Sequence, residues 1–566
     1  MSHLSLRFPQ QMKNWRINLI LLFITFFSAL LVGRLVYIQV LNHQYWRALA
    51  QGQQKFFLSW QGERGQIFFR DNTGFVINKN FDLVFAAPNE IENPKAAAES
   101  LAPILGLDEN LILEKLSKTT FYELIKRELP EEEIRHLKEI NLPGIYLGKE
   151  LGRYYPFDVL AAQTLGFLGG EGGGQYGIEG FYDNVLRGKD SILEKEKGPG
   201  GYFINNFGAN SERGADLVLT IDYNIQSTAE KLLEQAKENL DIERGEIIVA
   251  EPNSGEILAL ANFPNFSPNQ YSEVSDLDVF KNSAAQKLFE PGSVFKPITM
   301  AAALDQKKIT PQTTYVDQGF LKIGNYTIRN YDTRVWGERT MTEVLEKSIN
   351  TGAVFAEREL GHELFLEYID RFGFFEPTGI DLQGETFSQN KEFKKGYEIN
   401  FATAAFGQGI EVTTMQLVRA FSAIANGGKL FKPFLVQRIL DQGKIIEKGP
   451  EIQLESVISE NTSSQLTLMM VSTVENGFSG RAKIPGYYIA GKTGTAQIPY
   501  EDKLGYYADR TIQSFVGFAP ALDPEFLILV KLYNPKARTA EYSAVPIFRE
   551  LAKYIIDYWQ IPPDYE

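Results

Sequence analysis

The feature that most limits how this chain can fold is an apolar run near its start. Residues 1–16 carry Arg7, Lys13 and Arg16 and no acidic side chain; from Ile17 the sequence is apolar to Val40, broken mainly by Arg34. At about 1.5 Å per residue, the charge-free part from Ile17 to Gly33 nearly crosses a hydrocarbon core of roughly 30 Å. Residues 17–40 are therefore expected to be a membrane anchor, with Arg34 snorkelling at its far interface and residues 1–16 as a short tail. The basic flank keeps the tail cytoplasmic and sends the remaining chain outside. A cleaved signal peptide is the alternative, but no small-x-small site directly follows the apolar run, so the uncleaved anchor is preferred.

At 566 residues the chain is long enough for two to four domains. Its 57 basic and 71 acidic residues leave a net charge of −14, which argues against a general nucleic-acid binder, whose usual footprint is a basic surface. The absence of cysteine removes disulfides, thiolate chemistry and cysteine metal sites together. His3, His43, His136 and His362 are scattered singly, so neither a metal cluster nor a Ser-His-Asp triad is expected.

Residues 41–215 read as a mixed region. Arg64–Gly74 has the character of a strand and turn, and Glu131, Glu132 and Glu133 follow Pro130 where negative charge suits a helix start. Gly172, Gly174 and Gly177 satisfy G-x-G-x-x-G, but Gly180 interrupts what would be the phosphate-binding helix and Asp190 follows Gly188 rather than a strand; a structural turn is expected. Gly198, Pro199, Gly200 and Gly201 read as a linker. From Ala215 the pattern changes. Asp222 opens a helix over 225–240, and strands at 246–250 and 256–260 are joined by Pro252-Asn-Ser-Gly255, a hairpin signature. Strands return at 487–497, 514–519 and 526–532, and Ile547, Leu551, Tyr554, Ile555 and Tyr558 share one face of a helix over 544–559. This order predicts an α+β domain over 216–566, with helices packed on an antiparallel sheet.

Chemistry is concentrated in that domain. In Glu290-Pro-Gly-Ser293-Val-Phe-Lys296-Pro, Ser293 is expected to cap a helix and Pro297 to fall in its first turn. Residues three apart share a helix face, so the Lys296 amine can reach the Ser293 hydroxyl. A lysine activates a serine only if burial or a cationic neighbour keeps it neutral. Ser388 and Lys391 repeat the spacing, but in polar sequence that reads as a loop. Ser348-Ile-Asn350 follows a short helical pattern, and Ser-x-Asn recurs at Ser267, Ser388 and Ser459, so it carries little alone. Lys492-Thr493-Gly494-Thr495 occurs once, within a strand-like run. There Thr493 and Thr495 face one side and Gly494 permits close approach of another backbone.

The order Ser-x-x-Lys, Ser-x-Asn, Lys-Thr-Gly, each in its helix, loop or strand setting, is the motif set of penicillin-binding proteins and serine β-lactamases. Over nearly its whole length the chain resembles a class B penicillin-binding protein, a monofunctional peptidoglycan DD-transpeptidase. The resemblance extends to Arg64-Gly-Gln-Ile67, Arg153-Tyr-Tyr-Pro156, Gly177-Ile-Glu-Gly-Phe-Tyr182, Leu219-Thr-Ile-Asp222, Phe406-Gly-Gln-Gly409 and Ser514-Phe-Val-Gly-Phe-Ala-Pro520. Phe69 and Gln163 depart from it, standing where relatives often carry aspartate and histidine.

The resemblance implies an anchor, an elongated stalk (dimerisation or pedestal) domain over 41–215 and a β-lactamase-like transpeptidase domain over 216–566. It implies Ser293 as nucleophile, Lys296 as its base, Ser348 as proton shuttle and Asn350 as a donor to the substrate amide. Lys492 would lower the proton affinities of Lys296 and Ser348 and, with Thr493, face the terminal carboxylate. Ser293 and Thr495 N–H groups would hold the oxyanion, with Gly494 between the two threonines. D-Ala-D-Ala stem peptides and β-lactams are the implied ligands, and no metal or cofactor is needed. A lipid-II polymerising SEDS-family glycosyltransferase is the implied membrane partner. Ser348-Ile-Asn350 favours a division role over elongation. On the same fold, a DD-carboxypeptidase, a membrane-anchored β-lactamase or a non-catalytic penicillin sensor are the alternatives.

Overall fold

The computed structural model describes residues 15–37, 55–60, 62–120, 122–170, 172–188, 191–197, 203–204, 213–500 and 505–565. Nearly all of the expected tail, the Gly198–Gly201 linker and Asp190 lie outside them. The chain divides into two units, residues 1–63 with 188–213, and residues 64–187 with 214–566.

In the first unit the apolar run forms the helix Trp15–Val36, on which Phe23, Phe26 and Leu30 are exposed. A small antiparallel sheet combines Lys55–Trp60, Ser191–Lys197 and Phe203–Ile204. Among the described residues no helix is long and apolar enough to cross a membrane.

In the second unit, a seven-stranded sheet draws on distant parts of the chain. Ile67–Phe68 pairs antiparallel with Gly74–Ala86 and parallel with Asp216–Leu219, which in turn pairs with Val436–Asp441. Arg64, Arg153 and Glu179, each from a different sequence motif, meet here. The buried Glu179 carboxylate accepts from Arg64 Nε at 2.8 Å and Arg153 Nε at 2.6 Å, while Arg64 also reaches Asp183 at 2.7 Å. A buried carboxylate is tolerated when guanidiniums satisfy it on both oxygens, and the Arg64 pairs join residues more than 100 positions apart. Phe69 lies stacked on Phe75 and edge-on to Tyr223 in an aromatic cluster, and Gln163 donates to the carbonyls of Pro264 and Val279. The glycine-rich stretch is a turn: Gly174–Gln175 pairs with Phe167–Leu168, and a Cβ at Gly174 would lie 1.9 Å from the Glu179 carbonyl oxygen.

The later part of this unit contains α1 (Tyr223–Leu240), β1 (Arg244–Ala250), β2 (Ile257–Phe263), α2 (Lys296–Asp305), α3 (Asn350–Leu360), α4 (Glu460–Asn476), β3 (Ala490–Pro499), β4 (Tyr506–Ala519), β5 (Phe526–Tyr533) and α5 (Ala544–Trp559). Asp222 caps α1, accepting from the N–H groups of Asn224 and Ile225. The five strands form one antiparallel sheet in the order β2-β1-β5-β4-β3. The strand period of two divides its side chains between two cores. Ile247, Val249, Phe515, Ile528 and Val530 pack with apolar residues of α1 and α5. Ile248, Ala250, Val516, Leu527 and Leu529 belong to the other core, with Ile298, Met300 and Ala302 of α2. The sheet is thus covered on both faces, and β3 is left at its edge, beside α4 and the Gly292–Phe295 turn that leads into α2.

Candidate active site

Gly292–Phe295 form a 3-10 turn ahead of α2, and Phe295 occupies the cap position with no side-chain capping bond. The expectation that Ser293 caps the helix is therefore corrected, although Pro297 does fall in the first turn. The capping role is lost because the chain enters α2 already wound, and the hydroxyl is left for another partner. Ser293 Oγ accepts from Lys296 Nζ at 3.0 Å. Gly292 adopts φ +60°, and its N–H donates to the Gly407 carbonyl at 2.9 Å, which clamps the turn against the Phe406–Gly409 loop.

Lys296 is fully buried. Its amine is also 3.1 Å from Ser348 Oγ and 2.6 Å from the Ser348 carbonyl oxygen. Ser348 sits between the helix Met341–Glu346 and α3 with φ +53°, a left-handed conformation that costs a serine energy and that the surrounding bonds must hold. Lys492, 1% exposed, reaches the same Ser348 Oγ at 3.0 Å and the Thr493 carbonyl at 2.9 Å. One hydroxyl therefore bridges two buried lysines. Burial, and secondarily the Lys492 charge, holds the Lys296 amine well below its usual range; burial lowers Lys492 to about 7. The shift favours the free-base form of Lys296, the form that can take a proton from a hydroxyl, while Lys492 is partly protonated near neutral pH.

The remaining predicted residues line or support a cleft of about 800 Å³ whose wall includes Ser293 and Ser348. Thr493 and Thr495 both face it from β3, as the alternation predicts. Gly494 faces the opposite way, where a Cβ would meet Ser514 Oγ at 2.5 Å and Val294 Cγ1 at 2.8 Å. Asn350 opens α3 at the cleft wall, and its Nδ2 donates to the Arg329 carbonyl at 2.9 Å. Ser388 instead donates to Glu411 at 3.1 Å, and His362 bonds Glu357 and stacks on Phe401. Among the described residues no group of His, Asp and Glu side chains could hold a metal ion.

Several residues at the site had no sequence signal. Buried Asn330 accepts from the Asn350 and Thr351 N–H groups at 3.1 and 3.2 Å and donates to the Asp317 carboxylate at 2.9 Å, fixing the start of α3. Glu290, which the sequence offered only as the first residue of the Glu290-Pro-Gly-Ser293 motif, accepts from Tyr506 OH at 3.0 Å and the Gly409 N–H at 3.0 Å, tying the Ser293 turn to β4. Arg329 at the end of the strand Tyr326–Arg329, Arg334 in the segment after it and the distant Arg538 also line the cleft.

Two families match the chain: penicillin binding protein transpeptidase domain over residues 245–553, and penicillin-binding protein dimerisation domain over 59–219. Stage V sporulation protein D of Bacillus subtilis is 32% identical over 537 residues, covering 92% of this chain and 82% of that protein. Peptidoglycan D,D-transpeptidase FtsI of Escherichia coli is 27% identical over 565 residues, covering 97% and 93%. In fold, the chain is similar to penicillin binding protein 3 of Mycobacterium tuberculosis crystallised with aztreonam, with a TM-score of 0.70 at 23% identity, covering 89% of this chain and 98% of that one.

Proposed function

The chain belongs to the penicillin-binding protein transpeptidase family, and from that premise we propose that it is a peptidoglycan D,D-transpeptidase acting through a serine acyl-enzyme. The observation that carries this reading is the buried Lys296 amine, 3.0 Å from the Ser293 hydroxyl in the wall of an open cleft. Ser293 Oγ attacks the carbonyl of the penultimate D-alanine as its proton passes to the free-base Lys296 amine. The tetrahedral oxyanion is held by the N–H groups of Ser293 and Thr495; loss of one such donor typically costs about 3 to 4 kcal/mol. The carbon–nitrogen bond then breaks, and the departing D-alanine amine receives a proton through Ser348. The contacts of that hydroxyl with both lysines, at 3.1 and 3.0 Å, support the shuttle. An amine from a second stem peptide attacks the ester, and Ser293 leaves and regains its proton.

The donor peptide adds along the edge strand β3, with its terminal carboxylate at Lys492, Thr493 and Thr495 and its amide at Asn350. Around this domain, the proposed organisation is a tail over 1–16, an anchor over 17–40, a stalk over 41–215 and a catalytic domain over 216–566. The chain is held in the cytoplasmic membrane with its catalytic domain outside. Its role is septal, beside a SEDS-family glycosyltransferase. Exposed apolar side chains on Trp15–Val36 support the anchor. The experiment is incubation of the full-length protein with lipid-linked or polymerised substrate carrying D-Ala-D-Ala. Crosslinked peptide dimer that disappears in Ser293→Ala supports the reading, and release of free D-alanine without dimer would replace it with carboxypeptidase action.

A further inference from the structure

The chain is acidic overall, with a net charge of −14, yet Arg329, Arg334 and Arg538 all contribute to the wall of the cleft that holds Ser293. They are held in distinct ways. The Arg329 carbonyl accepts from Asn350 Nδ2 at 2.9 Å, and its guanidinium lies 5.9 Å from the centre of the Phe320 ring. The Arg334 guanidinium lies 5.9 Å from the Trp336 ring centre and 5.7 Å from that of Phe478. Arg538 comes from the loop after β5 and is 73% exposed. Asp332, just off the cleft wall, contacts both of the last two, at 3.8 Å from Arg334 and 3.6 Å from Arg538. These contacts are long, and the Asp332 side chain is 54% exposed, so water and salt screen them. Asp332 and Thr333 also adopt φ of +56° and +53° in succession, a strained turn for residues other than glycine. The acidic groups on the cleft wall are Asp509 and Glu541, and Glu541 is paired with Arg481 at 3.9 Å.

Resting on the transpeptidase reading, we propose that Arg334 and Arg538, with Arg329 beside Asn350, bind a second carboxylate of the donor stem peptide. This carboxylate belongs to a side chain preceding the D-Ala-D-Ala unit and is distinct from the terminal one. Asp332 is its intramolecular competitor. A planar guanidinium presents paired N–H donors that match a carboxylate, and a bound carboxylate offers shorter, better aligned bonds than the Asp332 contacts. The three arginines thus make the cleft selective for an anionic donor peptide over its carboxamide counterpart.

The test compares two synthetic pentapeptide donors that end in D-Ala-D-Ala and differ only by carboxylate or carboxamide at the side chain of the third residue. For the wild type, kcat/KM is expected to favour the carboxylate about tenfold, mainly through KM, and this preference should shrink between about 50 and 500 mM salt. In Arg334→Gln/Arg538→Gln the ratio should approach one whatever the absolute rate, and in Asp332→Asn it should rise. Equal use of both donors by the wild type, or a preference that survives the double substitution or high salt, overturns the proposal. Acylation of the wild type by labelled penicillin, which lacks this side chain, reports separately on the underlying transpeptidase reading.

Discussion

Substituting Lys492 by methionine removes a charge from a buried site while keeping an unbranched chain of comparable length. In the structure both lysine nitrogens lie within 3.1 Å of Ser348 Oγ, so they are at most about 6 Å apart, where two unit charges at an effective dielectric of 20 repel by about 3 kcal/mol. That is on the order of a hundredfold in the protonation equilibrium of Lys296 when Lys492 is charged. The sign follows directly: Lys492 lowers the proton affinity of Lys296, so Lys492→Met raises it, and Lys296 is protonated at higher pH. Burial is the larger cause of the lowered affinity, so Lys296 does not return to the range of an exposed lysine. The assay is stopped-flow acylation by a fluorescent penicillin between pH 5.5 and 10. The acid limb of the rate profile should move to higher pH in the variant. Its position, unlike its height, is insensitive to any loss of binding to the β-lactam carboxylate. An acid limb that stays in place would refute the coupling between the two lysines.

Other perturbations reach different parts of the account. Ser348→Ala removes the hydroxyl that both lysines contact; acylation should fall by about 10² to 10⁴, as for loss of a proton-transfer group, measured by single-turnover labelling. Gly494→Ala places a Cβ 2.5 Å from Ser514 Oγ and 2.8 Å from Val294 Cγ1, pushing β3 away from the Ser293 turn. Acylation should drop on the order of 10², while circular dichroism stays unchanged. For Glu179, burial pushes the carboxyl up, but the Arg153 and Arg64 guanidiniums outweigh it and the net shift is downward from 4.5. Its contribution to stability is then fully present above pH 4.5 and is lost as pH falls through the lowered value. Thermal melting should show the wild type losing more stability below pH 4.5 than Glu179→Gln.

Much of the site was legible because its parts are local. The three-residue spacing of Ser293 and Lys296 brought hydroxyl and amine to 3.0 Å, and the alternation of β3 put Thr493 and Thr495 on the cleft. The Pro252–Gly255 turn joined the expected hairpin, and the closing helix runs over Ala544–Trp559 as its periodicity required. What depended on distant segments was not legible. The first hairpin pairs with the last strand, β1 with β5, and no periodicity carries that order. Asn330 gains its role only when Asp317, Asn350 and Thr351 converge on it. The left-handed Ser348 likewise meets two lysines 196 residues apart in the chain, at 296 and 492. Even in the local motif, propensity favoured a serine cap, and the 3-10 entry to α2 overrode it.

The central claim is that Ser293 becomes covalently acylated. Intact-mass measurement of the wild type after exposure to a β-lactam, followed by peptide mapping, should give one stoichiometric adduct located on the peptide containing Ser293. The adduct should persist for minutes or longer and be absent from Ser293→Ala. An adduct mapped to another residue, or one of equal yield in Ser293→Ala, would contradict it.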